Sequence, residues 1–285
     1  MKKENITIEG QAAHYCSIAT DGEEAHFYPG NGFPAGVYLP LLHSLSAKYS
    51  LTTLAFRATW ENAKPQVKPV NWEVYADDLI AFLDEKYDKP IVGIGHSQGA
   101  TASLIAAVKR PDLFKELYLI EPVSVTKFDE KYISLIPYFI KKKAEPFKSA
   151  LKKKSTWGSP YEYFEFLQKS KGFKRMKEEN LKLFSTESLR QKEDGSYEFI
   201  FPIDWEVANY ALPVNIDNYL KALKVPCKII LGKPSFFLNE KVRSNLKEIV
   251  KGEIVINPNY GHLIPLEAPD FCAGQIICVN NSNSR

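Results

Sequence analysis

Pro90–Ala100 reads PIVGIGHSQGA, and three kinds of structure follow one another within it. Ile91, Val92 and Ile94 make the short apolar run of a strand buried on both faces. Gly95-His96-Ser97-Gln98-Gly99 is a G-x-S-x-G, with glycines where strand and helix must pinch together. Ala100–Lys109, ATASLIAAVK, has few breakers and predicts a helix. A serine between the end of a strand and the start of a helix is held out on a strained turn. The backbone N–H after it can face a developing oxyanion. The blander reading is a glycine-rich turn that happens to hold a serine.

On the N-terminal side, Asn5–Ala19 and Glu24–Tyr28 predict strands, and the irregular spacing of Ile6, Ile8, Tyr15 and Ile18 leaves the first register open. Pro29-Gly30-Asn31-Gly32-Phe33-Pro34 is a breaker cluster and predicts a loop. Ala35–Tyr49 predicts a helix that becomes regular at about Pro40, since proline suits a first turn. Leu51–Phe56 predicts a strand and Arg57–Asn71 a loop containing Trp60. Trp72–Tyr87 predicts an amphipathic helix presenting Val74, Leu79, Phe82 and Leu83 to the core. Beyond the quoted stretch, Pro111 ends the helix and Glu116–Ile120 predicts another strand. Strands alternating with helices predict an α/β protein, a mostly parallel central sheet with helices on both faces. Ligands in such sheets lie beyond the carboxyl ends of the strands, where Ser97, the Gly30–Phe33 loop and Glu121 all fall.

The alternation stops at Pro122. Residues 123–223 predict an inserted, mainly helical segment rich in lysine and aromatic residues, Lys141–Lys143, Lys152–Lys154, Trp157 and Tyr163 among them. Within it, Gln191–Pro202 predicts a hairpin around Asp194-Gly195. The sheet pattern resumes with a strand at Cys227–Leu231, a helix near Glu240–Val250, a strand at Glu253–Ile256 and a last helix from about Glu267 to Val279. The expected organisation is therefore a core of residues 1–122 and 224–285 interrupted by residues 123–223.

Over nearly its whole length the chain resembles the α/β-hydrolase family. The sharpest points are Gly95–Gly99, the loop Asn31-Gly32-Phe33-Pro34, and Gly261–Pro269, which reads GHLIPLEAP. The resemblance implies an α/β-hydrolase fold in which residues 123–223 form a lid. It implies Ser97 as nucleophile and the backbone N–H groups of Phe33 and Gln98 as an oxyanion hole. A serine hydroxyl needs a base to take its proton. Of the five histidines, His14 and His26 lie in early strands, His43 in a helix, and His96 inside the turn. His262 follows the last strand, where the family places its base. Relatives usually carry an aspartate after the strand matching Cys227–Leu231. Here that stretch reads GKPSFFLNE, without aspartate, and Phe236 stands in its slot. Some relatives place the acid after the preceding strand, where Glu121 stands; Glu240 is the reserve. The implied activity is that of a serine hydrolase cleaving a carboxylic ester or related acyl compound through an acyl-serine. A non-catalytic binding protein of the same fold stays open, as does a lyase or acyltransferase, because fold does not fix reaction.

Composition narrows the classes. With 45% hydrophobic and 25% charged residues among 285, a folded globular chain with a large core is expected. A net charge of +3 is too mild to point to nucleic acid. The opening MKKENITIEGQ has no apolar core of a secretory signal, and no apolar run approaches a membrane span, so no stable membrane insertion is expected. Cys16, Cys227, Cys272 and Cys278 lack metal-ligand spacing and read as reduced thiols of a cytoplasmic protein. No metal or organic cofactor is expected, and the expected partner is a small acyl substrate. The lysine clusters read as a solvated face.

Overall fold

A computed structural model describes residues 1–19, 21–233, 235, 238 and 240–278. The chain opens with a hairpin, β1 (Lys2–Ile8) and β2 (Gln11–Ile18), where the sequence predicts a single strand from Asn5. Glu9 (φ +48°) and Gly10 (φ +77°) turn the chain between them. Two successive residues with positive φ make the tight turn that a hairpin needs. β3 (Glu23–Tyr28) follows, then α1 (Leu39–Leu45), β4 (Tyr49–Leu54), α2 (Glu73–Lys86), β5 (Ile91–His96), α3 (Gln98–Lys109) and β6 (Phe114–Ile120). The helix expected over Ala35–Tyr49 is shorter: a 3₁₀ turn at Ala35–Tyr38 leads into α1, and Tyr49 already belongs to β4.

Between β6 and the next sheet strand lie α4 (Lys127–Leu135), α5 (Tyr138–Lys141), α6 (Phe147–Leu151), β7 (Thr156–Trp157), α7 (Pro160–Gln168), α8 (Glu178–Glu187), β8 (Leu189–Gln191), β9 (Tyr197–Phe199), α9 (Ile203–Asn209) and α10 (Asp217–Ala222). β8 and β9 are the expected hairpin, and β7 adds a third antiparallel strand that the sequence does not signal. The chain closes with β10 (Cys227–Gly232), α11 (Glu240–Ile249), β11 (Glu253–Asn257), α12 (Ile264–Glu267) and α13 (Pro269–Ile277). The last helix expected from about Glu267 begins at Pro269 as α13, and α12 is a separate short helix before it, because Pro269 has no N–H to continue the α12 ladder. Its expected end at Val279, and the Phe236 slot, lie outside the described residues.

The main sheet runs β1-β2-β4-β3-β5-β6-β10-β11. β1, β2 and β4 pair antiparallel, and every pair from β4 to β11 is parallel. One hydrophobic cluster packs α2, α3, α10 and α11 against one face. A second packs α1, α13 and, from the inserted stretch, α7 and α8 against the other. This is the mostly parallel, doubly covered sheet that the alternation predicts. β5 lies at its centre with all six residues buried, so the turn that ends it is anchored on both sides.

His26 in β3 is 1% exposed, and its Nε2 accepts the Leu54 N–H at 3.0 Å. Burial pushes this imidazole down to about 3. The folded chain therefore holds it neutral, whereas the unfolded chain takes a proton below about 6.5. Its contribution to stability is complete above that pH and falls as pH drops toward 3, by about 1.4 kcal/mol per pH unit. His26→Gln keeps an acceptor for Leu54 and removes this slope. Urea midpoints at about pH 7 and about pH 5 should show the native chain losing more stability than the variant. Equal losses would remove His26 from the acid sensitivity.

Candidate active site

Three carboxyl ends of the sheet converge. Ser97 follows β5 with φ +55° and ψ −122°, a backbone that costs a non-glycine residue on the order of 1–3 kcal/mol. The surroundings hold it there. Its N–H donates to Ile120 O at 3.0 Å, extending the β5–β6 ladder past the strand end. A Cβ on Gly95 would run into the backbone of Ala100, 2.7 Å away, so only glycine lets α3 turn back this close to β5. Ser97 itself is 8% exposed.

Glu121 stands one residue past β6, also at positive φ (+48°), and is fully buried. Its N–H donates to Ile230 O at 2.8 Å, which ties it to β10 as Ser97 is tied to β6. Its Oε1 accepts the Gly232 N–H at 2.7 Å and lies 3.8 Å from Arg243 Nη2. Its Oε2 lies 3.0 Å from His262 Nδ1. A carboxylate only accepts here, so Nδ1 carries the proton and Nε2 presents its lone pair. That Nε2 lies 2.9 Å from Ser97 Oγ. Ser97, His262 and Glu121 thus form one hydrogen-bonded row, whereas Glu240 opens α11 on the exposed surface.

The loop bearing His262 is fixed from several directions. A Cβ on Gly232 would strike the Tyr260 and Gly261 carbonyls, so a glycine at the end of β10 lets the loop close over the sheet. Glu267 Oε2 accepts the Gly261 N–H at 2.7 Å, and burial raises that carboxyl's pKa. His96 Nε2 lies 2.8 Å from His262 O, and its Nδ1 lies 2.7 Å from Tyr38 Oη. A carbonyl must accept, so Nε2 carries the His96 proton and Nδ1 takes the Tyr38 hydroxyl's. Tyr38 Oη in turn accepts the Gly30 N–H at 3.0 Å. Burial holds His96 well below the ordinary imidazole range, so it stays neutral as a tie between two loops.

No family model matches the chain. It is 23% identical over 274 residues to a rice (Oryza sativa subsp. japonica) protein named as a probable esterase, covering 92% of this chain and 93% of that one. It is 26% identical over 141 residues to a Bacillus subtilis protein named as an uncharacterized hydrolase, covering 47% of this chain and 50% of that one. Among solved structures, E-2-(acetamidomethylene)succinate hydrolase superposes with a TM-score of 0.78 at 14% identity, over 96% of this chain and 97% of that one. The thioesterase domain from the curacin biosynthetic pathway gives 0.76 at 15% identity, over 97% and 99%. The chain has the α/β-hydrolase fold.

In this α/β-hydrolase fold the serine opens into a cavity of about 460 Å³. Ser97 and His262 line it together with Trp72, Val123, Ile133, Ile136, Phe147 and Tyr210. Its wall is therefore mainly apolar, with Asp129, Lys141 and Glu145 among its polar residues beside the serine and the imidazole. Trp60 stays in the core instead, its Nε1 donating to Ala55 O at 2.7 Å. Of the aromatic residues in the inserted stretch, Trp157, Tyr163, Phe164 and Phe184 pack among themselves and against α1. Lys141 lines the cavity at 6% exposure and donates to Ala211 O at 2.6 Å; burial lowers its pKa.

The two expected oxyanion donors differ. Gln98 opens α3, so its N–H has no acceptor within the helix. Phe33 N–H closes a turn onto Gly30 O at 3.1 Å, and must share or release that bond to serve an oxyanion. The loop carrying Phe33 is held through Asn31. The Asn31 amide donates to Glu206 O at 3.1 Å, and its oxygen accepts from Asn209 Nδ2 at 2.8 Å. Asn209 Oδ1 accepts the Tyr75 hydroxyl at 2.6 Å. The Gln98 side-chain amide is buried beside the cavity without a hydrogen-bond partner among the described residues. Sequence reading assigns Gln98 only its backbone role and assigns Arg243, Glu267 and Asn209 none. Arg243 and Asn209 act through partners far away in the sequence, Glu121 and Asn31, and Glu267 through a backbone N–H six residues before it.

Proposed function

We propose that the chain is a serine hydrolase that cleaves a carboxylic ester or related acyl compound through an acyl-serine intermediate. The observation that carries this reading is the hydrogen-bonded row Ser97–His262–Glu121 opening into an apolar cavity. His262 Nε2 takes the Ser97 proton as Oγ attacks the carbonyl carbon, and Glu121 steadies the imidazolium that forms. The oxyanion takes the Gln98 N–H, with Phe33 as second donor. The imidazolium then protonates the departing alcohol. Water, deprotonated by the same imidazole, releases the acid and restores Ser97. No step requires a metal or organic cofactor.

Among the similar proteins, one named a probable esterase and one a thioesterase domain agree with acyl chemistry. Residues 123–223 would act as the lid over a core of 1–122 and 224–285, since Ile133, Phe147 and Tyr210 supply cavity wall. The substrate is a small molecule, and a cytoplasmic location fits the four unpaired cysteines. Incubation with p-nitrophenyl acetate and butyrate should give saturable hydrolysis with an initial burst of nitrophenol, as acyl-serine builds up. Absence of turnover across short esters and thioesters would favour the binding-protein reading.

A further inference from the structure

α4 is apolar on two sides. Ile133, with Ile136 just beyond the helix end, lines the cavity. Phe128, Tyr132 and Leu135, spaced four and three residues apart, form a stripe on a different side, and Phe139 in α5 continues it. These four are 74%, 59%, 75% and 69% exposed. The rings of Phe128 and Tyr132 lie parallel, with centroids 6.1 Å apart. Leu151 in α6 adds further exposed apolar surface, whereas Ile140, also exposed, lines the cavity. Large apolar side chains gathered in this way mark a surface that something covers.

The charges beside the stripe say what. Lys131, Lys142, Lys143, Lys148 and Lys152 have no ion-pair partner among the described residues. The carboxylates on the same stretch are engaged locally: Asp129 accepts from Thr126 Oγ1, Glu130 from Asn215 N–H and Glu145 from Ser149 N–H. Lys142 lies over the Tyr138 ring, 4.5 Å from its centroid, and the other four ammonium groups make no close ion pair among the described residues. An apolar stripe with ammonium groups in excess over carboxylates complements a layer of phosphates over hydrocarbon. A second copy of this chain would instead bring lysine against lysine.

We propose that the α4–α6 face docks peripherally on an anionic phospholipid bilayer. The aromatic stripe enters the boundary between headgroups and acyl chains while the lysines meet lipid phosphates. Because Ile133 of α4 is cavity wall, docking brings that wall of the serine's cavity close to the lipid. The proposal stands apart from the hydrolase reading, since docking needs no turnover.

Co-sedimentation with vesicles tests it, using equal parts phosphatidylglycerol and phosphatidylcholine against phosphatidylcholine alone. The native chain and Ser97→Ala should both pellet with the anionic vesicles and come off them at high salt. Phe128→Ser/Leu135→Ser/Phe139→Ser alters only exposed side chains, and circular dichroism checks its fold. It should partition roughly tenfold less or weaker still. Lys142→Ala/Lys143→Ala should lose about fivefold per lysine. Failure of the native chain to pellet with anionic vesicles at low salt overturns the proposal, as does equal pelleting of the triple variant. A dimer abolished by the triple variant, without vesicle binding, would assign the face to a second copy and overturn it too.

Discussion

Ser97→Ala should lower kcat on an acyl substrate by about 10⁴-fold or more while the protein melts close to the native temperature. The hydroxyl is the only group in the cavity with an imidazole lone pair 2.9 Å away among the described residues. Removing it takes away the proposed nucleophile and leaves the cavity and the proposed oxyanion donors in place. The backbone does not object, because serine and alanine meet nearly the same strain at φ +55°, and the ladder bond from Ser97 N–H to Ile120 O involves no side chain. The loss should therefore fall on kcat rather than on substrate binding. Steady-state kinetics alongside a thermal melt separate the two. Retention of most of the native kcat would remove Ser97 from the chemistry.

Glu121→Gln is the second large effect and the more discriminating. Glu121 uses both oxygens as acceptors, Oε1 for the Gly232 N–H and Oε2 for the His262 Nδ1–H. A carboxamide of the same shape has one acceptor oxygen and one donor nitrogen. Whichever way it is turned, it sets a donor against Gly232 or against His262. The second orientation drives the His262 proton to Nε2, where it blocks Ser97. We expect about 10⁴-fold loss in kcat, from the wrong tautomer and the lost stabilisation of the imidazolium. The neighbouring Arg243 guanidinium also loses its carboxylate, so some loss of stability, roughly 1–3 kcal/mol, should accompany it. Glu121→Asp restores the charge on a shorter stem and should recover part of kcat. If Gln and Asp were equally impaired, or Gln retained native turnover, Glu121 would be a packing residue only.

What the sequence made legible follows from how local each signal is. The turn at Gly95–Gly99 carries its strand, glycines and helix within eleven residues, and the structure places β5, Ser97 and α3 there. Alternation of strand and helix makes the parallel sheet readable. The first hairpin was not, because its turn is Glu9-Gly10, and a glutamate at positive φ leaves no compositional mark. The ties that position the site were hidden for another reason. Asn31 and Asn209 lie 178 residues apart, and His96 and His262 lie 166 apart. Each side chain is ordinary in its own segment and acquires its role only when the loop after β3 meets α9, or β5 meets the loop after β11. Phe33 shows the same limit from the other direction. Its place in the loop was readable, but the turn that occupies its N–H was not.

Glu121 and His262 are proposed to make Ser97 an activated nucleophile. Incubation of the native protein with a fluorophosphonate, followed by intact mass and peptide mapping, tests it most directly. One adduct is expected, on Ser97, absent from Ser97→Ala and formed far more slowly in Glu121→Gln. A folded native protein that takes up no adduct, or takes it up elsewhere with Ser97 untouched, would contradict it.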